Sequence, residues 1–393
     1  MPWKEVTPMT ERARLVHLAE DGTYTLTELA KQFGISRKTA HKWVNRYHEG
    51  GLAFLEDRSR SPREIPHRTD EEIERLIVKE RQLHPTWGGK KIHTILQTKH
   101  AIEKPPCIRT VDAVLKRHNL VRKRRKRGAV YKVERPELTE ATRPHHVMTV
   151  DFKGWFTTGD GSKFEPLTIK DLYSHFLLRA VALPQSTTHW TQKSFAGLFR
   201  LEGVPEIIRV DNGSPFASMG PGGLSKLSVW WISLGIEVQF TRPGCPQDNG
   251  SHERMHRTMK EECCRPASAN LKAQQLRMDR WKREYNQQRP HESLNQKIPA
   301  DVYQESRRRL DEQIKCPLYD PGEKTVKVSS SGSIQVEGNS YYAGEAFVGQ
   351  RVALDEENGR TVVRYANVKL GYLPDKPNQR LMPYTYEKRY EKK

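Results

Sequence analysis

The sequence predicts a multidomain α+β protein: two N-terminal helical units, a mixed five-stranded sheet flanked by helices, and a small C-terminal β-barrel. Three changes of texture predict it. Up to about residue 121, apolar residues recur at helical spacing behind Ser, Thr and Asp caps. From His146, short β-branched and aromatic runs alternate with helical ones. After Pro317 come short strands separated by glycine turns. At 393 residues the chain exceeds one typical domain. It carries 67 Lys+Arg against 48 Asp+Glu, a net charge of +19. That excess calls for a polyanionic partner, most simply nucleic acid, with an anionic membrane as the rival. No apolar run spans a bilayer; the best, Phe176 to Leu183, is interrupted by Arg179. The N-terminus has no hydrophobic signal region, and the five cysteines lack disulfide or zinc-finger spacing. These features predict a cytoplasmic protein with no membrane partner.

Residues 1–57 form the first helical unit. Leu15 and Leu18 mark a helix, and Thr25 with Glu28 offers a capping box for a second that carries Leu29, Ala30 and Phe33. Gly34 turns, and Ser36 caps a third helix with Ala40, Trp43, Val44 and Tyr47 inward. This pattern looks like a helix-turn-helix whose third helix enters the major groove. Arg37, Lys38, Thr39, His41, Lys42 and Arg46 then face phosphates and base edges. The plain alternative is a three-helix bundle with a solvated basic face. Residues 58–68 are a polar, basic linker.

A second helical DNA-binding unit is expected over 69–121. Thr69 or Asp70 caps a helix through Ile73, Leu76, Ile77 and Leu83, and Trp87-Gly88-Gly89 leads to a helix with Ile92, Ile95 and Leu96. Thr110 caps a helix with Val111, Val114 and Leu115. Then Arg122, Lys123, Arg124, Arg125, Lys126 and Arg127 open a basic linker, 122–143, expected to track phosphates.

Residues 144–315 are the α/β core. Strands are expected at Val147–Trp155, Phe164–Ile169, Phe176–Leu183, Ile207–Val210 and Glu237–Phe240, with helices over 186–201 and 224–234. Asp151 sits within an apolar strand, and Asp211 ends another at an Asp-Asn-Gly turn. A buried acid costs free energy unless it is paired or binds a metal; the plain alternatives for Asp151 are an exposed edge or a salt bridge to Lys153 or Arg209. If the two acids end on neighbouring strands, their repulsion favours a shared divalent ion, the basis of phosphoryl transfer on nucleic acid. A helix from about Gly250 buries Met255, Met259 and Cys263. Glu253, Arg257 and Lys260 lie opposite, placing an acid at the metals and two cations along a DNA backbone. Glu261 and Glu262 are weaker candidates, and His252 with His256 mimics a zinc pair without further ligands. Helices are expected to continue over 271–285 and 299–310.

The stretches MTVDFKGWF (148–156), GVPEIIRVDNGSPF (203–216) and RPGCPQDNGSHERMHRTMKEE (242–262) carry a family resemblance. They resemble the integrase-type, ribonuclease-H-like catalytic core of bacterial insertion-sequence transposases of the DDE class. Residues 285–303 resemble the segment that follows this core, so the likeness runs from about residue 10 to 305. It implies a metal-binding catalytic triad of Asp151, Asp211 and Glu253 holding two Mg²⁺ ions, with Mn²⁺ as substitute. It further implies DNA strand cleavage and strand transfer, binding of the element's terminal inverted repeats and of target DNA, and a homodimer or larger assembly on DNA in the bacterial nucleoid. An accessory ATPase is left as an open partner. The second and third acids are 253 − 211 = 42 positions apart, longer than these cores usually show, and Met219 to Gly223 is the natural place for the insertion. The alternative functions are a DNA-binding regulator with a non-catalytic core and a nuclease acting on RNA·DNA hybrids.

Strands at 325–328, 333–336, 340–342, 351–354, 361–365 and 368–372 predict the barrel within 320–375, and 376–393 is a basic tail.

Overall fold

The structure, a computed structural model, describes residues 7–58, 68–121, 138–242, 246–313 and 316–384. The chain divides into two compact units, residues 1–69 and 70–393. Arg122 to Arg127 lie outside the described residues.

In the first unit, α1 (Pro8–Glu20), α2 (Leu26–Gln32) and α3 (Arg37–Gly50) surround Leu15, Val16, Leu29, Ala40, Trp43 and Leu55. The expected box is present. The Thr25 N–H donates to Glu28 Oε2 at 2.8 Å, and the Glu28 N–H donates back to Thr25 Oγ1 at 3.4 Å. Ser36 Oγ accepts from the Thr39 N–H at 3.1 Å, and Gly34 turns with φ +64°.

The second unit opens with α4 (Glu71–Leu83), α5 (Gly89–Thr98) and α6 (Ile108–Arg117) around Ile77, Trp87, Ile92, Leu96, Val111 and Val114. Asp70 caps α4, as expected. The cap expected at Thr110 is displaced: α6 begins at Ile108, with Cys107 in the capping position.

The central sheet comprises β1 (Val147–Phe152), β2 (Phe156–Thr157), β3 (Lys163–Asp171), β4 (Leu177–Leu183), β5 (Ile207–Val210) and β6 (Glu237–Phe240). It is mixed, with order β2-β3-β1-β5-β6 and β4 on β3. Among the described residues the strands number six, not five: β1 ends at Phe152, short of the expected Trp155, and β2 begins only after the bend at Gly154, whose φ is +84°. Alternation along β1 and β3 sends Met148, Val150, Leu167 and Ile169 to one face, under α7 (Thr188–Glu202) and α8 (Lys226–Ser233). Thr149, Asp151, Thr168 and Lys170 take the other face. There α9 (Gly250–Met259) and α10 (Leu271–Gln287) bring Met255, Met259, Met278 and Trp281 against Phe164 and Leu177.

The helix expected over 299–310 is only α11 (Pro299–Val302). Beyond it the chain pairs with the core instead: the Val204 N–H donates to Arg308 O at 2.8 Å, and the Ser306 N–H donates to Glu202 O at 2.9 Å. The Arg308 guanidinium donates to the carbonyls of Pro205 and Leu234.

The C-terminal region holds β7 (Thr325–Lys327), β8 (Ser333–Val336), β9 (Asn339–Tyr342), β10 (Arg351–Glu357), β11 (Arg360–Tyr365), β12 (Val368–Tyr372) and β13 (Met382–Pro383). The expected barrel does not close among the described residues. The sheet runs β13-β12-β11-β10-β7, with β8-β9 a separate hairpin. Pro383 cannot donate a ladder hydrogen bond, so it suits an edge. The open sheet is covered instead by the core: Leu224, Val229 and Ile232 join Phe347, Val352, Val363 and Leu370 in one apolar cluster. The glycine-rich insertion makes this contact. Gly222 has φ +66°, and a Cβ there would stand 3.1 Å from Leu370 Cδ2 and 3.3 Å from Val368 Cγ1. The segment expected to be tail from Lys376 includes β13 and the buried Leu381.

Candidate active site

Parallel pairing of β1 and β5 joins Val147 to Ile207, Met148 to Ile208 and Thr149 to Arg209. Asp151 and Asp211 each lie four residues beyond the first of these pairs, so the register sets them level on adjacent strands. Asp151 is the last but one residue of β1, with 22% of its side chain exposed. Asp211 follows β5 and is exposed; its Oδ1 accepts from the Gly213 N–H at 3.1 Å. Any Cβ at Gly213 would stand 3.3 Å from that carboxylate, so a glycine keeps the turn tight against it. Glu253 is exposed in the first turn of α9.

The Asp151 carboxyl feels the other two acids. The Asp151 carboxyl is pushed up to about 7, first by burial, then by the Asp211 charge, with Glu253 adding in the same direction. Arg209 is no counter-ion to it: its guanidinium donates to Thr139 O at 2.6 Å and to Gln239 Oε1 at 3.2 Å. Among the described residues no three His, Cys, Asp or Glu side chains already stand together as a metal cage. The donor chemistry nevertheless fits a hard divalent cation. The set is oxygen only, and a buried carboxyl raised by a like charge gains most from a cation.

The start of α9 is fixed by a clamp that was not legible in the sequence. Asp248, its side chain fully buried, accepts from the Arg242 N–H at 3.2 Å, from Nε at 3.1 Å and from Nη2 at 2.9 Å. Arg257 is exposed on α9, and Lys260 follows where the helix widens into a π-turn. Both line a cleft with Arg265, Arg277 and Arg280. Glu262, one of the weaker candidates, is engaged elsewhere: it accepts from Trp281 Nε1 at 2.7 Å and Arg289 Nη1 at 2.9 Å, and from the Thr86 hydroxyl. His252 and His256 are buried against the sheet and bonded to threonines, not arranged as a zinc pair.

Of the residues expected to face DNA in the first unit, Arg37, Lys38, His41 and Lys42 are exposed. Thr39 is half-buried, its hydroxyl 2.8 Å from that of the capping Ser36. Arg46 and Lys42 rest on the Trp43 ring, 4.9 and 4.6 Å from its centroid.

Comparison with known proteins adds the following. An integrase core domain matches residues 141–246, and a second integrase core domain family matches 234–299. A helix-turn-helix domain matches 11–63 and a homeodomain-like domain 39–115. The C-terminal domain of IS481 family transposases matches 323–373. The chain is 26% identical over 192 residues to an uncharacterized 31.7 kDa protein of insertion element IS407 from Burkholderia multivorans; the alignment covers 49% of this chain and 66% of that protein. It is 25% identical over 287 residues to an uncharacterized 39.2 kDa protein of insertion element IS476 from Xanthomonas euvesicatoria, covering 70% of this chain and 77% of that one. Among solved structures, the HTLV-2 integrase catalytic core domain in complex with magnesium is 17% identical, with a TM-score of 0.33, over 42% of this chain and all of that one. The integrase core, helix-turn-helix and transposase C-terminal matches, with the insertion-element relatives, make the chain similar to bacterial insertion-sequence transposases with an integrase-type core.

Proposed function

We propose that this chain is a DNA transposase that binds the terminal inverted repeats of its element and catalyses divalent-metal-dependent strand cleavage and strand transfer. The observation that carries this is the level placement of Asp151 on β1 and Asp211 at the end of the adjacent parallel β5, with the Asp151 carboxyl raised by burial and then by its neighbour. Asp151, Asp211 and Glu253 form the oxygen donor set for two Mg²⁺ ions, or Mn²⁺. Bound there, such ions acidify water and stabilise charge on the leaving oxygen. The protein's own groups hold and orient. The Gly213 N–H fixes the Asp211 carboxylate. Arg257 and Lys260 hold the DNA backbone beside Glu253, along the cleft shared with Arg265, Arg277 and Arg280. Water attacks a terminal phosphate in line and the P–O3′ bond breaks. The freed 3′-OH then attacks a target phosphate, with no covalent protein intermediate. The first unit reads an element end through Arg37, Lys38, His41 and Lys42, and two ends require a dimer or larger assembly on DNA. The protein works in the cytoplasm at the nucleoid; among the described residues no helix is long and apolar enough to cross a membrane.

Strand cleavage of terminal-repeat DNA with Mg²⁺ tests the reading. Asp151→Ala and Glu253→Gln are expected to lose activity by about 10³-fold or more while binding the repeat normally. Equal activity in the variants would sink the mechanism. Repeat binding without cleavage by the wild type would favour a regulator instead.

A further inference from the structure

The second helical module and the core enclose a cavity of about 880 Å³ that the proposed chemistry does not use. Small-molecule sites run from roughly 300 to 1,000 Å³. One wall is α4 and α5, and the other is the segment that follows α10, from Gln287 to Asp301. Glu80 and Trp87 both line it, and each is 1% exposed. Glu80 Oε1 accepts from Lys99 Nζ at 2.7 Å and stands 2.9 Å from His100 Nε2. Glu80 Oε2 has no hydrogen-bond partner, since His84 Nε2 stands 3.8 Å away. Trp87 Nε1 and Gln296 Oε1, on two further lining residues, are likewise buried without a partner.

Buried polar groups are ordinarily paired, so three orphans around one cavity point to a group that arrives from outside. Burial opposes ionisation of Glu80, but hydrogen bonds from Lys99 and His100 hold its carboxyl below the ordinary value. As a carboxylate it only accepts, and the Trp87 indole N–H only donates. The arriving group must therefore set donors beside acceptors. The Gln296 amide is held at the cavity by a turn in which Asn295 and Gln296 have φ of +52° and +65°. The Lys297 N–H closes that turn by donating to Leu294 O at 3.0 Å. Left-handed backbone at such residues costs free energy and gathers at ligand clamps. The His84 ring lies flat on Trp87, with centroids 3.8 Å apart and planes at 9°. His84 also lines the cleft of Arg257, Lys260, Arg265, Arg277 and Arg280, so the cavity and the proposed DNA path share a wall.

We propose that this cavity receives a nucleobase swung out of the DNA held in that cleft. A base edge sets donors beside acceptors, as Glu80, Trp87 and Gln296 require, and a flat base suits a site walled by the His84–Trp87 pair. Gln97 and Gln288, also at the cavity, supply further amides of the kind that read base edges. The inference rests on the proposed path of DNA along the cleft and not on the metal ligands.

Titration of the full-length protein with terminal-repeat duplex, without metal, tests this when a single mismatch is moved along the repeat. A mismatched base is cheaper to extrude, so at one position the mismatch is expected to tighten binding about tenfold. An abasic nucleotide there leaves nothing to hold and is expected to fall short of that gain. Gln296→Asn tolerates the left-handed turn but draws the amide back, and is expected to lose most of the gain. Glu80→Gln removes the carboxylate and is expected to do the same, with melting temperature reporting its folding. No gain at any position, an equal gain with the abasic nucleotide, or an undiminished gain in Gln296→Asn would each overturn the proposal. Saturation-transfer spectra with dAMP and dCMP separate the sources. Free nucleotides that bind while no mismatch tightens the duplex would make this a nucleotide site and overturn the assignment to DNA. A wild type that cleaves the repeat without any mismatch gain loses only the cavity's role; one that does not bind the repeat loses the DNA reading beneath it.

Discussion

The two three-helix modules are built alike, yet their polar surfaces meet different fates. In the first, the opening turns of α3 present Arg37, Lys38, His41 and Lys42, exposed and without an acid among them. In the second, α6 interposes Asp112 between Arg109 and Lys116. Glu74 there binds Arg117 through both carboxylate oxygens, at 3.0 and 2.9 Å, and sits 2.7 Å from His118 Nε2. The second module is also fastened to the core. His84 Nδ1 is 2.8 Å from Glu284 Oε1, the Thr86 hydroxyl donates to Glu262, and Lys91 donates to Pro290 O. A helix-turn-helix pattern therefore specifies a module, and the surrounding contacts decide how many of its charges remain for DNA.

The largest effect on this contrast should come from Glu262, which joins Thr86 of the second module to Trp281 and Arg289 of the core. Glu262→Ala strands the partly buried Arg289 and should cost about 3 kcal/mol. Chemical denaturation should show the loss in the second unit, with limited proteolysis opening the chain near residues 84–90 and the first unit's unfolding unchanged.

Acid should act on the second unit in the same direction. His145 and His175 are both held down at about 4, chiefly by burial, and His291, stacked on His175, at about 2, by burial and Lys91. Below the ordinary histidine value of 6.5 the unfolded chain takes up protons that the folded one refuses. Stability is thus full above about 6.5 and lost as pH falls toward 4, by on the order of a few kcal/mol for each ring. A melting temperature that is flat across this window would contradict the burial of these rings.

A smaller effect separates the two recognition helices. Lys38→Ala and Lys42→Ala should each weaken repeat binding about tenfold and lower the salt slope by about 1. Arg109→Ala and Lys116→Ala should change it less. Equal losses from both helices, measured by titration at several salt concentrations, would erase the distinction drawn here. The smallest effect is local: Thr25→Ala removes the capping box of α2 and should lower the first module's stability by about 1 kcal/mol, seen by circular dichroism.

Much of this was legible in the sequence because the signals are local. Thr25 and Glu28 cap through neighbouring backbone, Ile207 to Val210 is β-branched, and Met255, Met259 and Cys263 share a helical stripe, so each element follows from its own residues. Asp151, Asp211 and Glu253 are local signals too: an acid within an apolar strand, an acid at the turn that ends another, and an acid opposite an apolar helical stripe. Their joint role as metal ligands remains a proposal. Over 299–310 the expected helix stops at Val302, because helical propensity there is outweighed by backbone pairing to Val204 and Glu202, which lie distant in sequence. The barrel does not close among the described residues; alternation predicts strands but not whether a sheet closes or is covered by Leu224, Val229 and Ile232.

The sequence by itself determined the elements, the basic character and the acids, since periodicity, caps and charge are properties of short stretches. Only the tertiary structure decided the rest. It set Asp151 level with Asp211, turned Arg209 away from both and committed Glu262 to Trp281 and Arg289. It docked the glycine-rich insertion on β12 and gathered Glu80, Trp87 and Gln296 around one cavity. Those are facts of register and packing between segments far apart in the chain, and no local pattern encodes them.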